Sequence, residues 1–115
     1  MHSYLNIVML LINYMHVKIA NISDLKPGEG KTVSANGKEL ALFNVDGKFF
    51  CIDNECAHQG GPIGEGFLEN HIVSCPWHGA QYDLKTGKVL TQFPPSHDLQ
   101  VYNVEVRGQE IFVDI

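Results

Sequence analysis

Long hydrophobic runs are missing from this 115-residue chain. The longest apolar stretch, IVMLLI at residues 7–12, falls far short of the roughly 20 residues a membrane-spanning helix needs. It also makes a poor signal peptide. No Lys or Arg precedes it, Lys18 being the first, and no small-residue cleavage site follows. Residues 1–14 therefore read as an N-terminal extension, with the functional chain beginning at Met15. The competing reading is an extra strand or short helix lying on the domain. No membrane role and a cytoplasmic location are expected.

Positive charge is scarce. Eight Lys and Arg stand against 13 Asp and Glu, for a net charge of −5 and a pI of about 5.6. That balance argues against nucleic acid and anionic membrane surfaces, which attract basic proteins. It is compatible with docking onto a basic patch of a partner. Cysteine is sparse and odd in number: Cys51, Cys56 and Cys75. Three cysteines in a chain without an export signal argue against a disulfide framework and for buried, catalytic or metal-bound thiols. Helical periodicity is also absent over any useful length. The Asp and Glu residues form no paired-carboxylate site.

What is present is a succession of short strands and turn residues. Residues 17–20 form a first strand and 24–30 a loop. Residues 31–35 and 39–45 flank Asn36-Gly37, and Asp46-Gly47 turns the chain into 48–52; both turns suit the positive φ of tight hairpins. Residues 54–66 hold Gly60, Gly61, Pro62, Gly64 and Gly66 and read as a constrained loop. A strand at 71–74 leads into a second loop beginning at Cys75. Residues 81–84 and 88–90 flank Thr86-Gly87, and 92–98 is a loop around Pro94-Pro95. Residues 99–106 alternate as one strand, which turns at Arg107-Gly108-Gln109 into 110–115. The chain from residue 15 to 115 is expected to be one all-β domain with two glycine-rich loops inserted.

Chemistry concentrates in those loops. Cys56-Ala57-His58 is followed, after residues 59–74, by Cys75-Pro76-Trp77-His78. Thiolates suit zinc and iron–sulfur clusters, and imidazole suits several metals. Zinc fingers usually group like with like, two Cys and then two His. Here each loop supplies one of each. That order suits a cluster in which one iron takes both thiolates and the other both imidazoles.

The pattern resembles the Rieske family, whose signature is C-x-H followed by C-x-x-H. CAHQGGPIGEG at 56–66 and CPWHGAQYDLKTGKVL at 75–90 are similar to the cluster loops of Rieske ferredoxins, and Phe93-Pro94-Pro95 falls where the family has a proline loop. The resemblance spans residues 15–115. It implies a Rieske ISP-like β-sandwich with a small two-loop cluster-binding subdomain. It also implies one [2Fe–2S] cluster, with Cys56 and Cys75 on the buried iron and His58 and His78 on the outer one.

The residue types fit that cofactor. Two ferric irons, two sulfides, two thiolates and two neutral imidazoles sum to zero charge, so an electron is added more easily than to a four-thiolate cluster. Such ligation gives potentials of about −150 to +300 mV. Glycines let backbone N–H groups approach the sulfides and favour the reduced state. The cysteines that form an interloop disulfide in respiratory Rieske proteins are matched by Gly61 and Trp77. Ala80 stands in place of a Ser, while Tyr82 retains a Tyr, that hydrogen-bond to cluster sulfurs. A low-potential cluster follows, raised if the Tyr82 hydroxyl reaches a Cys sulfur.

The remaining candidates have plain readings. Cys51, in Phe49-Phe50-Cys51-Ile52, reads as a small buried hydrophobe. His71 and His97 read as surface residues, and His2 and His16 lie outside the motif. Trp77 reads as packing or shielding between ligands. The large catalytic domain of a Rieske oxygenase is not expected. The expected function is a one-electron carrier between a flavin-dependent reductase and a terminal oxygenase, not an enzyme by itself. The rivals are the small subunit of an NAD(P)H-dependent nitrite reductase, docking on its large subunit, and a zinc-stabilised interaction module.

Overall fold

The tight turns set the register of the sheets. The computed structural model describes residues 16–55, 60–77, 79–92 and 97–115. Asn36 and Gly37 take φ of 57° and 81°, and Asp46 and Gly47 take 52° and 90°. Both pairs occupy the left-handed region that a two-residue hairpin demands. They join β2 (Gly30–Ala35), β3 (Lys38–Val45) and β4 (Lys48–Asp53), with Ala35 opposite Lys38 and Val45 opposite Lys48. These strands, with β8 (Val101–Tyr102), form a four-stranded antiparallel sheet in the order β2-β3-β4-β8.

This sheet is the middle layer of three. One face packs on the sheet β1-β10-β9, built from β1 (His16–Asn21), β9 (Val104–Arg107) and β10 (Glu110–Asp114). The other packs on the small sheet β5-β6-β7, built from β5 (Phe67–Glu69), β6 (Ile72–Ser74) and β7 (Gln81–Asp83). Alternation along β3 sorts its side chains. Leu40 and Leu42 join Val33, Cys51, Tyr102, Ile111 and Val113 in the sandwich core. Ala41, Phe43 and Val45 join Ile52, Ile63, Val73, Tyr82 and Leu84 in a second core beneath the small sheet. A strand covered on both faces reads as a continuous apolar run, which explains Leu40 to Phe43. Full burial of each such Leu or Phe is favourable by about 1.5–3 kcal/mol.

The expected strands are present with three corrections. Residues 99–106 are two strands, not one. β8 pairs with β4 in the middle sheet, and β9 pairs with β10 in the outer one. Asn103 makes the corner: its C=O accepts from the Asp114 N–H at 3.1 Å and its Nδ2 donates to Asp114 Oδ2 at 3.1 Å. The loop expected at 54–66 ends in a 3₁₀ turn at Ile63–Glu65, followed by the unexpected β5. The strand expected at 88–90 reduces to a bridge between Val89 and Tyr82. The N-terminal extension and Phe93-Pro94-Pro95 lie outside the described residues. Among the described residues no helix is long and apolar enough to cross a membrane.

Candidate metal centre

The first motif loop leaves the middle sheet at the end of β4. Phe50, Ile52 and Asn54 share the face toward the small sheet, because successive side chains alternate. Asn54 is buried, and its Oδ1 accepts from Thr32 Oγ1 at 3.0 Å and from the Gly64 N–H at 2.7 Å. Its C=O accepts from the Ile63 N–H at 2.7 Å. A bridge between Glu55 and Pro62 closes the same segment one residue further on. Asn54 and Glu55 on one side and Pro62 to Gly64 on the other are thus tied together, against β2 and beside the fully buried Ile63.

The second loop joins β6 to β7 and is closed by its own backbone. The Cys75 N–H donates to the Ala80 C=O at 2.8 Å, and the Gly79 N–H donates to the Cys75 C=O at 3.0 Å. Gly79 has a φ of 79°, which a side chain would disfavour. The loop stands on Val73, Ala80 and Tyr82, all fully buried.

The two loops meet at Gly61. A Cβ there would lie 2.7 Å from Cys75 Sγ and 3.1 Å from Cγ and Cδ2 of Trp77. Only a residue without a side chain permits this approach. Gly61 and Trp77, the positions matched to an interloop disulfide, are therefore neighbours, and an indole takes the place of the covalent link. Trp77 is 56% exposed, so its ring covers Gly61 on one side and faces outward on the other.

Cys75 is 3% exposed and belongs to the core beneath the small sheet, with Ala80 and Tyr82. Cys56, His58 and His78 lie outside the described residues. Among the described residues no group of three or more His, Cys, Asp or Glu could hold a metal ion, and Cys75 is the proposed ligand among them. Its setting fits thiolate ligation of a cluster. The sulfur is buried at the junction of two turn-rich loops, and the opposing position carries no side chain.

The other residues divide as chemistry suggests. Cys51 is fully buried in the sandwich core, and burial first, then the charge of Asp53, pushes its thiol up to about 12. It is a packing group. His71 is partly buried, edge-on to Phe50 at 5.4 Å, and His97 is exposed, with Nδ1 2.9 Å from the Asp98 C=O. His16 stacks on Phe112 and meets Asp114 Oδ1 at 2.7 Å. Asn54 is the residue that sequence reasoning passed over. The signal was available: two positions beyond Ile52, it continues an inward-facing row with a polar group.

Known proteins agree with this geometry. A model of the Rieske [2Fe-2S] domain matches residues 15–103. The biphenyl dioxygenase ferredoxin subunit of Pseudomonas sp. strain KKS102 is 35% identical over 98 residues, 84% of this chain and 89% of that protein. The 3-phenylpropionate/cinnamic acid dioxygenase ferredoxin subunit of Shigella boydii serotype 4 is 39% identical over 95 residues, 82% of this chain and 88% of that one. A chain of the solved complex of reduced oxygenase and oxidized ferredoxin in carbazole 1,9a-dioxygenase superposes with a TM-score of 0.80 at 30% identity, covering 89% of this chain and 94% of its own. On this fold, these facing loops and these relatives, the chain belongs to the Rieske [2Fe–2S] family, in its ferredoxin branch, as an electron carrier with a [2Fe–2S] cluster rather than a catalyst in its own right.

Proposed function

We propose that this protein carries single electrons from a flavin-dependent reductase to a terminal oxygenase, with its cluster held by Cys56, His58, Cys75 and His78. The observation that carries this reading is the buried Cys75 sulfur, facing the side-chain-free Gly61 of the other motif loop. The ferredoxin relatives support it over the nitrite reductase and zinc readings, since they match along most of their own length. When bound, the cluster takes up and releases one electron. The chain's own residues do the rest. Cys56 and Cys75 would supply thiolates to it, and His58 and His78 neutral imidazoles. Val73, Ala80 and Tyr82 exclude water beneath Cys75. Trp77 exposes an indole next to His78 in sequence, where a partner can meet it. A cytoplasmic setting belongs to this reading, because thiolate ligands and a free Cys51 suit a reducing compartment.

The test is reconstitution. Purified protein should be red-brown, contain iron and acid-labile sulfide, and give a Rieske EPR signal when reduced. With the reductase and terminal oxygenase of a Rieske dioxygenase system, product formation should depend on its addition. A colourless protein with zinc and no sulfide would end the reading.

A further inference from the structure

We propose that Asn54 is a positioning residue for the cluster: its carboxamide fixes where the first ligand loop leaves and re-enters the fold, and thereby the environment of Cys56 and His58. The proposal rests on the ligand reading above. Asn44 and Asn54 are the buried polar side chains among the described residues. A buried amide is costly unless bonded, so each is there to satisfy something.

Asn54 serves two elements at once. Its Oδ1 takes the Thr32 hydroxyl from β2 and the Gly64 N–H from the 3₁₀ turn. Gly64 leaves no slack: a Cβ there would be 2.7 Å from Thr32 N and from the Lys31 carbonyl carbon, so the turn rests directly on the β2 backbone. With the Ile63 N–H on the Asn54 C=O, three bonds converge on one residue. Cys56 lies two residues downstream, a span of at most about 7 Å. A shift of this junction must therefore reach the ligand.

Asn44 provides the matched control. It is equally buried, at 4% exposure, and its Nδ2 donates to the Leu25 C=O at 2.9 Å while its Oδ1 accepts from the Gly47 N–H at 2.7 Å. It pins the other end of the β3–β4 ladder, on the sandwich side. Losing it should weaken the fold without touching the ligand loops.

The experiment uses cluster-loaded protein and reads three quantities: the EPR g-values of the reduced form, the rate at which visible absorbance bleaches, and the melting temperature. Asn54→Ala should shift the g-values and bleach about tenfold faster than the unaltered protein, the scale at which partners of metal ligands act. Asn54→Asp keeps an acceptor oxygen at the Oδ1 position for both donors and should retain the original g-values. Asn44→Ala should melt lower with g-values and bleaching unchanged. If Asn54→Ala does not fold, Thr32→Val, which removes one donor and leaves the Gly64 bond, should shift the g-values in the same sense by less. Unchanged g-values in every Asn54 and Thr32 variant that folds would overturn the proposal, as would equal bleaching in the Asn44 and Asn54 alanine variants. A His58→Ala arm separates the two layers of argument. A cluster that persists unchanged there overturns the ligand reading, whereas a cluster lost there but insensitive to Asn54 overturns only the positioning role.

Discussion

Cys51 and Cys75 lie on opposite sides of the middle sheet, both nearly or fully buried, and the difference between them separates packing from chemistry. Cys51 sits in mid-strand, in one core cluster with Leu40, Leu42, Tyr102 and Ile111, all of them strand residues. Cys75 sits at the end of β6, in a turn held by its own N–H and C=O, with its sulfur against another loop. Burial alone does not distinguish them. What does is the backbone: a strand surrounds the Cys51 thiol with side chains, whereas a turn presents the Cys75 sulfur to a facing loop whose nearest position, Gly61, carries none. The two regions divide accordingly. The sandwich holds Cys51 in its core, and the small sheet carries Cys75 at the start of the second motif loop.

The strongest way to break this comparison is to exchange the cysteines' roles. Cys75→Ser should abolish the cluster, with iron and visible absorbance at background. Cys51→Ala should leave the spectrum intact and cost about 1 kcal/mol in a denaturant melt, the scale of a small core truncation. A colourless Cys51 variant that remains folded would show that the packing assignment is wrong.

Gly61→Val tests the loop junction next. Its Cβ would enter the space 2.7 Å from Cys75 Sγ. Iron retention under chelator should fall by about tenfold or more, as for changes beside metal ligands, while sandwich circular dichroism persists. Tyr82→Phe is subtler. Tyr82 is fully buried in the core that holds Cys75. If its hydroxyl supports a cluster sulfur, its loss lowers the midpoint potential by roughly 40 mV, the equivalent of about 1 kcal/mol for one electron. An unchanged redox titration would remove Tyr82 from the account.

The smallest effect concerns alkali. The Cys51 thiol is raised from an ordinary 9.0 to about 12, so the fold holds this proton more tightly than the unfolded chain does. Its contribution is complete below pH 9 and is lost as pH rises toward 12. Melting temperature should decline over that range, less steeply in Cys51→Ala. Iodoacetamide should label Cys51 only after unfolding, because the neutral thiol is a poor nucleophile.

Much of this was legible in the residues. Asn36-Gly37 and Asp46-Gly47 announced hairpins because few other pairs accept two positive φ values, and the structure shows both. The interleaved Cys–His order singled out the loops. Less legible was the break at Asn103, since the alternation through residues 99–106 is undisturbed and the corner depends on distant Asp114. β5 was missed because its three residues follow Gly66 with Phe67 71% exposed, leaving little pattern to read.

The sequence by itself determined the all-β character, the hairpin registers and the identity of the four candidate ligands. These are local properties: turn dihedrals, period-two alternation and ligand chemistry act within a few residues. Only the tertiary structure decided that the middle sheet is covered on both faces, that Cys51 and Cys75 part ways across it, and that Gly61 receives the Cys75 sulfur and the Trp77 ring. It also turned Asn54 from a loop boundary into a junction. Each of these depends on which distant segments come into contact, and hydrogen bonds and steric fit across that distance are fixed only when the chain has folded.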